Sequence, residues 1–141
     1  MKSRTWTTLC LAALVGLSLG AVSGCVTQRL TMTDAKVEPA EVSWGDEAVI
    51  SVRVIDPEGK VKVVTAGVRE LPEVLIGLND NAEWGDKVAG DGLWSHLIGI
   101  PWDTPVGLFH WDFQAYDAHG NVIKVIEERA LTAEAAVEVT Y

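Results

Sequence analysis

Residues 108–117 alternate without a break. Phe109, Trp111, Phe113 and Ala115 fall on one side, and His110, Asp112, Gln114 and Tyr116 on the other. Side chains of an extended strand point to opposite faces with a period of two, so this row predicts a strand with one apolar face and one wet face. A helix would wind those four apolar residues around its whole circumference. The same period recurs at residues 47–55, where Ala48, Ile50, Val52 and Val54 share a face against Ser51 and Arg53. It returns at residues 93–100 with Trp94, His96, Ile98 and Ile100.

Turn chemistry separates these rows. Gly45-Asp46, Asp56-Pro57-Glu58-Gly59 and His119-Gly120-Asn121 are short stretches in which proline presets φ and glycine accepts a positive φ. Residues 36–42 read as an edge strand interrupted at Pro39, because proline cannot donate to a ladder. Residues 61–68 are β-branched, Leu71-Pro72 breaks them, and residues 74–78 form another short strand. A polar loop covers residues 79–92, and residues 122–126 complete a hairpin with the 108–117 row. For residues 127–136, Ala and Glu would suit a helical turn, but continued β-structure through a bulge or loop fits the alternating residues 137–141 better. About seven short strands without a repeat predict an all-β, antiparallel two-sheet sandwich. Its core would come from Ile50, Val52, Val54, Trp94, Ile98, Phe109, Trp111 and Phe113.

The N-terminal segment reads differently. Lys2 and Arg4 precede an apolar run at residues 9–21, shorter than the ~20 residues that a bilayer span needs but suited to the core of a signal peptide. Val22-Ser23-Gly24-Cys25 follows. These four residues resemble the lipobox of bacterial lipoproteins, with Val22 in place of the commoner leucine. The resemblance implies cleavage before Cys25 and a diacylglycerol thioether on that cysteine, often with a third acyl chain on its amino group. The rival readings are an ordinary secretory signal and an uncleaved anchor. Two or more chains hold a protein stably on a membrane, whereas one does so only marginally. The expected organisation is a signal peptide at 1–24, a lipidated tether at 25–35 and a folded domain at 36–141. Extended, that tether would reach at most about 35 Å. Val26, rather than aspartate, follows the cysteine, which in enterobacteria-like sorting implies the outer membrane rather than the inner cell membrane.

A second resemblance lies in the domain. Asp56-Pro57-Glu58-Gly59, Leu78-Asn79-Asp80, Gly85-Asp86, Gly90-Asp91-Gly92-Leu93-Trp94-Ser95 and the run from Gly107 to Asn121 occur in an order similar to that of Ig-like modules in bacterial exported proteins. It spans residues 56–121 and departs from the pattern at Asn81, where glycine is usual, and at Trp84, an extra residue. The resemblance implies an Ig-like β-sandwich and no common enzymatic activity, since such modules serve as spacers, accessory modules and binding domains. Fold alone does not settle function.

Composition narrows the partners. The chain carries 11 basic and 20 acidic residues, a net charge of −9, and losing Lys2 and Arg4 makes the remainder more acidic still. That surface disfavours nucleic acid and anionic headgroups. Cys10 leaves with the signal and Cys25 is claimed by lipid, so the domain has no disulfide and rests on its core.

Three groups of residues invite a functional reading. Asp80, Asp86 and Asp91 in the polar loop could offer oxygen ligands to calcium, although the spacing is not that of an EF-hand; equally, Asp and Asn side chains hold turns by accepting backbone N–H bonds. Trp84 and Trp102 fall in or beside turns with Trp44, where exposed indoles could stack on sugar rings or anchor a partner, or else cap the ends of the sandwich. His110 and Asp112 share a strand face and could begin a metal or catalytic site if His96 joined them, while His119 sits in a turn. No serine, threonine or cysteine has a recognisable nucleophile context. The sequence therefore predicts a lipid-anchored, non-enzymatic binding, adhesive or structural module at the bacterial cell envelope, with envelope proteins or glycans as candidate partners. A carbohydrate-binding module using Trp84 and Trp102 is the alternative, and a metal-dependent enzyme or metal carrier at His110 and Asp112 is the weaker rival.

Overall fold

The computed structural model describes residues 29–126, 129–130 and 132–140. Within them the chain is all-β. The strands are β1 (Thr31–Glu38), β2 (Glu41–Ser43), β3 (Glu47–Ile55), β4 (Val63–Val68), β5 (Leu71–Leu78), β6 (Leu93–Gly99), β7 (Gly107–Tyr116), β8 (Lys124–Ile126), β9 (Arg129–Ala130) and β10 (Thr132–Thr140).

They form a three-stranded sheet, β1-β3-β6, and a five-stranded sheet, β2-β10-β7-β4-β5, with β8 and β9 as a separate ribbon. The alternating rows decide which faces meet. Ile50 and Val52 from β3 and Val64, Ala66, Phe113 and Ala115 from β4 and β7 are fully shielded and belong to one core cluster. Two half-apolar sheets bury their faces in this way, because neither can shed its apolar side to water alone. The row of Phe109, Trp111, Phe113 and Ala115 is buried as its period requires, and residues 132–140 are a strand throughout.

Several expectations need correction. The first strand begins at Thr31, inside the span read as tether. It holds register with β3 from Thr31↔Ile55 to Glu38↔Val49 across a bulge after Thr33, where Asp34 has φ +52°. Pro39, after a cis bond, separates β1 from β2, and the chain there crosses to the other sheet. β2 runs parallel to β10, so the larger sheet is mixed rather than antiparallel. No hairpin joins these two strands, and nothing in the connection forces them to oppose. Leu71-Pro72 does not break a strand; it opens β5, on the edge of its sheet, where a missing N–H costs no ladder bond. The hairpin after β7 is short. Val122 bridges Tyr116 and the Ile123 N–H donates to the Ala115 carbonyl, after which the chain leaves the sheet as β8. In β6, Trp94 and His96 are only partly buried, while Ser95, from the opposite face, is shielded.

The ends of the sandwich follow from register. Thr31 and Ile55 mark one end; the turn at residues 43–46, the end of β6 and the close of β10 mark the other.

Candidate functional site

The polar loop after β5 lies along the free edge of β6. Asn79 exchanges both backbone bonds with Ser95, and the Leu97 N–H donates to the Trp84 carbonyl at 2.6 Å. The loop thereby supplies partners that a neighbouring strand would otherwise have given, and it covers an edge that would invite pairing with another chain.

Carboxylates hold the loop's shape. Asp80 Oδ1 accepts from the backbone N–H groups of Gly90 (2.8 Å) and Asp91 (3.2 Å), and its Oδ2 from Gly92 (3.0 Å). Asp86, buried, accepts from Ala82 (2.5 Å) and Val88 (3.3 Å), and Asp91 accepts from Leu93 (2.8 Å). Gly92 is required where it stands: φ is +80°, and a Cβ would lie 2.7 Å from the Val54 carbonyl oxygen.

Asp80, Asp86 and Asp91 do converge, each offering one carboxylate oxygen within 4.8 Å of the others. Calcium takes 6–8 oxygen ligands at about 2.3–2.6 Å. Both oxygens of Asp80 and both of Asp86 already accept N–H bonds, so a cation there would compete with the bonds that set the loop. The geometry matches the turn-holding role fully and a cation site only in its three converging oxygens.

The sequence-selected tryptophans separate into two kinds. Trp44 is half-buried and its Nε1–H donates to the Thr104 carbonyl at 2.8 Å, tying two connections at one end of the sandwich. Trp84 and Trp102 are 67% and 76% exposed. The Trp84 ring stacks on His96 with centroids 6.1 Å apart and planes 10° from parallel. The backbone around it is unusual, with Ala82, Trp84 and Gly85 at φ +63°, +52° and +98°, a region that bulky residues enter only when the surroundings impose it. The Trp102 indole lies against Gly45, where a Cβ would come within 2.8 Å of its Cζ2.

Trp102 stands at the end marked by the 43–46 turn, whereas Trp84 stacks on His96, which pairs with Ile50 partway along β3. The Trp84 carbonyl is bonded to Leu97, and Gly45, which carries Trp102 against it, donates its N–H to the Ile100 carbonyl. Those two attachment points are three residues apart, roughly 10 Å along an extended chain. Val88, in the same loop, and Leu97, whose N–H meets the Trp84 carbonyl, are also exposed.

The histidine reading fails on geometry. His96 belongs to the smaller sheet and His110 to the outer face of the larger one. The hydrogen bonds of His110 and Asp112 run to other partners. His110 Nδ1 meets Glu70 Oε1 at 2.6 Å and its backbone N–H donates to Glu70 Oε2 at 2.8 Å. Arg69 donates to both oxygens of Asp112 (3.0 and 2.5 Å) and to Glu134 at 2.7 Å. The backbone and ring hydrogen bonds from His110 hold the Glu70 carboxyl below its usual range, and the Arg69 guanidinium does the same for Asp112. The carboxylates of Asp112 and Glu134 in turn raise Arg69. This is a surface ion network with every member engaged. Arg69, Glu70 and Glu134 gave no sign of it in the sequence, because the β4–β5 turn and the β7–β10 register bring them together. His119, in its turn, is exposed and lies 4.0 Å from Asp117. Cys25 lies outside the described residues.

No protein-family model matches the chain, and no curated protein matches it either. Solved structures do resemble it in shape. An endo-β-1,4-mannanase from Thermotoga petrophila superposes with a TM-score of 0.52 at 11% identity, over 84% of this chain and 21% of that one. The alkylpurine DNA glycosylase AlkC of Pseudomonas fluorescens, bound to DNA containing an abasic site analog, gives 0.47 at 11% identity over 80% and 31%. A Niemann-Pick type C2 protein from the Japanese carpenter ant gives 0.45 at 11% identity over 82% and 96%. The chain thus spans about a fifth of the mannanase, and at this identity the likeness to it is one of fold alone.

Proposed function

We propose that this chain is a bacterial lipoprotein, held on the cell membrane or outer membrane by lipid on Cys25, whose Ig-like domain is a non-enzymatic binding module at the cell envelope. The anchor rests on Val22-Ser23-Gly24-Cys25 behind a complete signal-peptide pattern. The Ig-like assignment draws support from the two-sheet core and from the first strand's split between sheets at Pro39, with its second half parallel to the last strand.

One observation carries the binding role: Trp84 and Trp102 hold large apolar rings in solvent. Exposed indoles are costly to keep wet and supply large contact areas with little entropy to lose. Trp102 lies at the end opposite Thr31, so a chain anchored through Cys25 presents that ring away from the tether. Sugar rings, with their flat C–H faces, suit a pair of such indoles, and a glycan is the partner class this arrangement favours; a protein partner is the other.

Two experiments test the proposal. Cys25→Ala abolishes lipid labelling of the expressed protein, and labelling that survived would remove the anchor. The domain lacking Cys25 is then offered envelope polysaccharides. Retention that Trp84→Ala and Trp102→Ala each weaken about tenfold supports the glycan face. Retention indifferent to both changes would overturn it.

A further inference from the structure

Trp84 is held from several directions. Its carbonyl accepts from the Leu97 N–H at 2.6 Å, which ties the loop to β6. Its backbone lies at φ +52°, with Ala82 and Gly85 also positive, a region that a bulky residue keeps only where the surroundings impose it. Gly85 packs closely on β6 and β3: a Cβ there would lie 3.2 Å from the Leu97 nitrogen and 3.4 Å from a Val49 methyl. The indole is nearly parallel to His96, with centroids 6.1 Å apart, inside the range of offset stacking. His96 Nδ1 is shielded from water, so the imidazole is itself a fixed support. One face of the indole thus meets His96, and at 67% exposure the other is open to solvent.

We infer that His96 is a positioning residue, holding Trp84 as a preformed stacking subsite for a single uncharged sugar ring. This rests on the glycan reading above and adds which indole face binds, what holds it and which sugars it takes. An indole already immobilised by its backbone and by His96 loses little freedom when a ligand covers it. One open face admits one ring, so Trp84 serves as a subsite without a second indole beside it. Trp102, seated against Gly45, is a separate contact. The neighbours set the class of sugar. Glu83 precedes the indole and accepts from Asn81 Nδ2 at 3.2 Å, so an exposed carboxylate and amide stand beside the ring to bond hydroxyl groups. An anionic sugar brings a second negative charge beside Glu83, on a chain of net charge −9.

The test uses the full chain in detergent, labelled with fluorotryptophan, and Trp84→Phe and Trp102→Phe assign the two fluorine resonances. The probes are cellohexaose and the N-acetylglucosamine hexamer, both neutral, and hexagalacturonate, which is anionic. The neutral probes move the Trp84 resonance, and hexagalacturonate binds about tenfold more weakly. His96→Leu narrows the Trp84 line, because a released ring reorients faster, and weakens neutral binding about fivefold, the worth of one aromatic pair. His96→Phe, which keeps a ring under the indole, restores both. The remaining tryptophan resonances report that each variant is folded; should His96→Leu unfold, the wild-type contrast between neutral and anionic probes at Trp84 decides. Neutral probes that move Trp102 and not Trp84 overturn this inference and leave the glycan reading standing, whereas no saccharide binding at millimolar concentration overturns both. Binding by His96→Leu equal to wild type, or hexagalacturonate as tight as the neutral probes, also overturns it.

Discussion

Asp112 on β7 stands directly opposite Glu134 on β10, and the two carboxylates are reconciled by one guanidinium, that of Arg69. Like charges facing each other across a ladder destabilise the pair. Arg69 reaches them because it follows directly on the register pairs Gly67↔Asp112 and Val68↔Trp111, at the start of the β4–β5 turn. A row that suggested chemistry in the sequence is a sheet surface whose facing carboxylates share one guanidinium.

Arg69→Ala therefore lowers the melting temperature by up to about 4 °C at low salt, since exposed pairs contribute little individually. Added salt narrows the difference from wild type. Asp112→Asn in that background recovers part of the loss by removing one of the two facing charges. Thermal melts of the three proteins at low and high salt check this, and an Arg69→Ala effect independent of salt would contradict it.

Acid sensitivity follows from the same groups. Glu70, Asp112 and Asp117 all hold their carboxyl groups below the usual value: Glu70 through hydrogen bonds from His110, Asp112 through Arg69, and Asp117 through the backbone and side chain of Asn121. A carboxyl lowered in the folded state binds its proton more readily when unfolded. Its stabilisation is thus present above the unfolded value, near pH 4, and is lost as pH falls through the lowered folded value. Stability measured by denaturant titration is flat through neutrality and declines below about pH 4. Asp117→Asn removes part of that slope.

Asp80 collects three backbone N–H bonds, so Asp80→Ala leaves donors without an acceptor in a loop that covers the β6 edge. The expected cost is ~1–3 kcal/mol by denaturant unfolding, the same with calcium or with chelator. A melting temperature that rises with calcium in the wild type, and not in Asp80→Ala, would instead establish a cation site at Asp80, Asp86 and Asp91.

The described residues contain no cysteine, so the core carries their fold. Phe113 is completely shielded at the centre of β7. Phe113→Ala costs about 3–5 kcal/mol, a large part of the stability expected for one domain. Leu108→Ala, on an exposed position of the same strand, changes it by less than about 0.5 kcal/mol. Denaturant titration of both variants measures the contrast.

Period-two alternation was enough to identify β3 and β7, their buried rows and the all-β class, because burial acts on each strand face independently of its neighbours. Turn residues marked where those strands end for the same local reason. Other features needed long-range partners. Only the sheet could make β2 parallel to β10 or lay the loop along β6. His96 looked inward by period, yet an edge strand leaves such a position half open, and Trp84 came to stack on it. His110 and Asp112 share a face as their spacing requires, but register gave them Glu70 and Arg69 as partners. The sequence by itself determined which residues avoid water and where the chain turns, since both depend on local chemistry. Tertiary structure alone decided which polar groups meet and which indoles remain wet, because those depend on how separate strands come together.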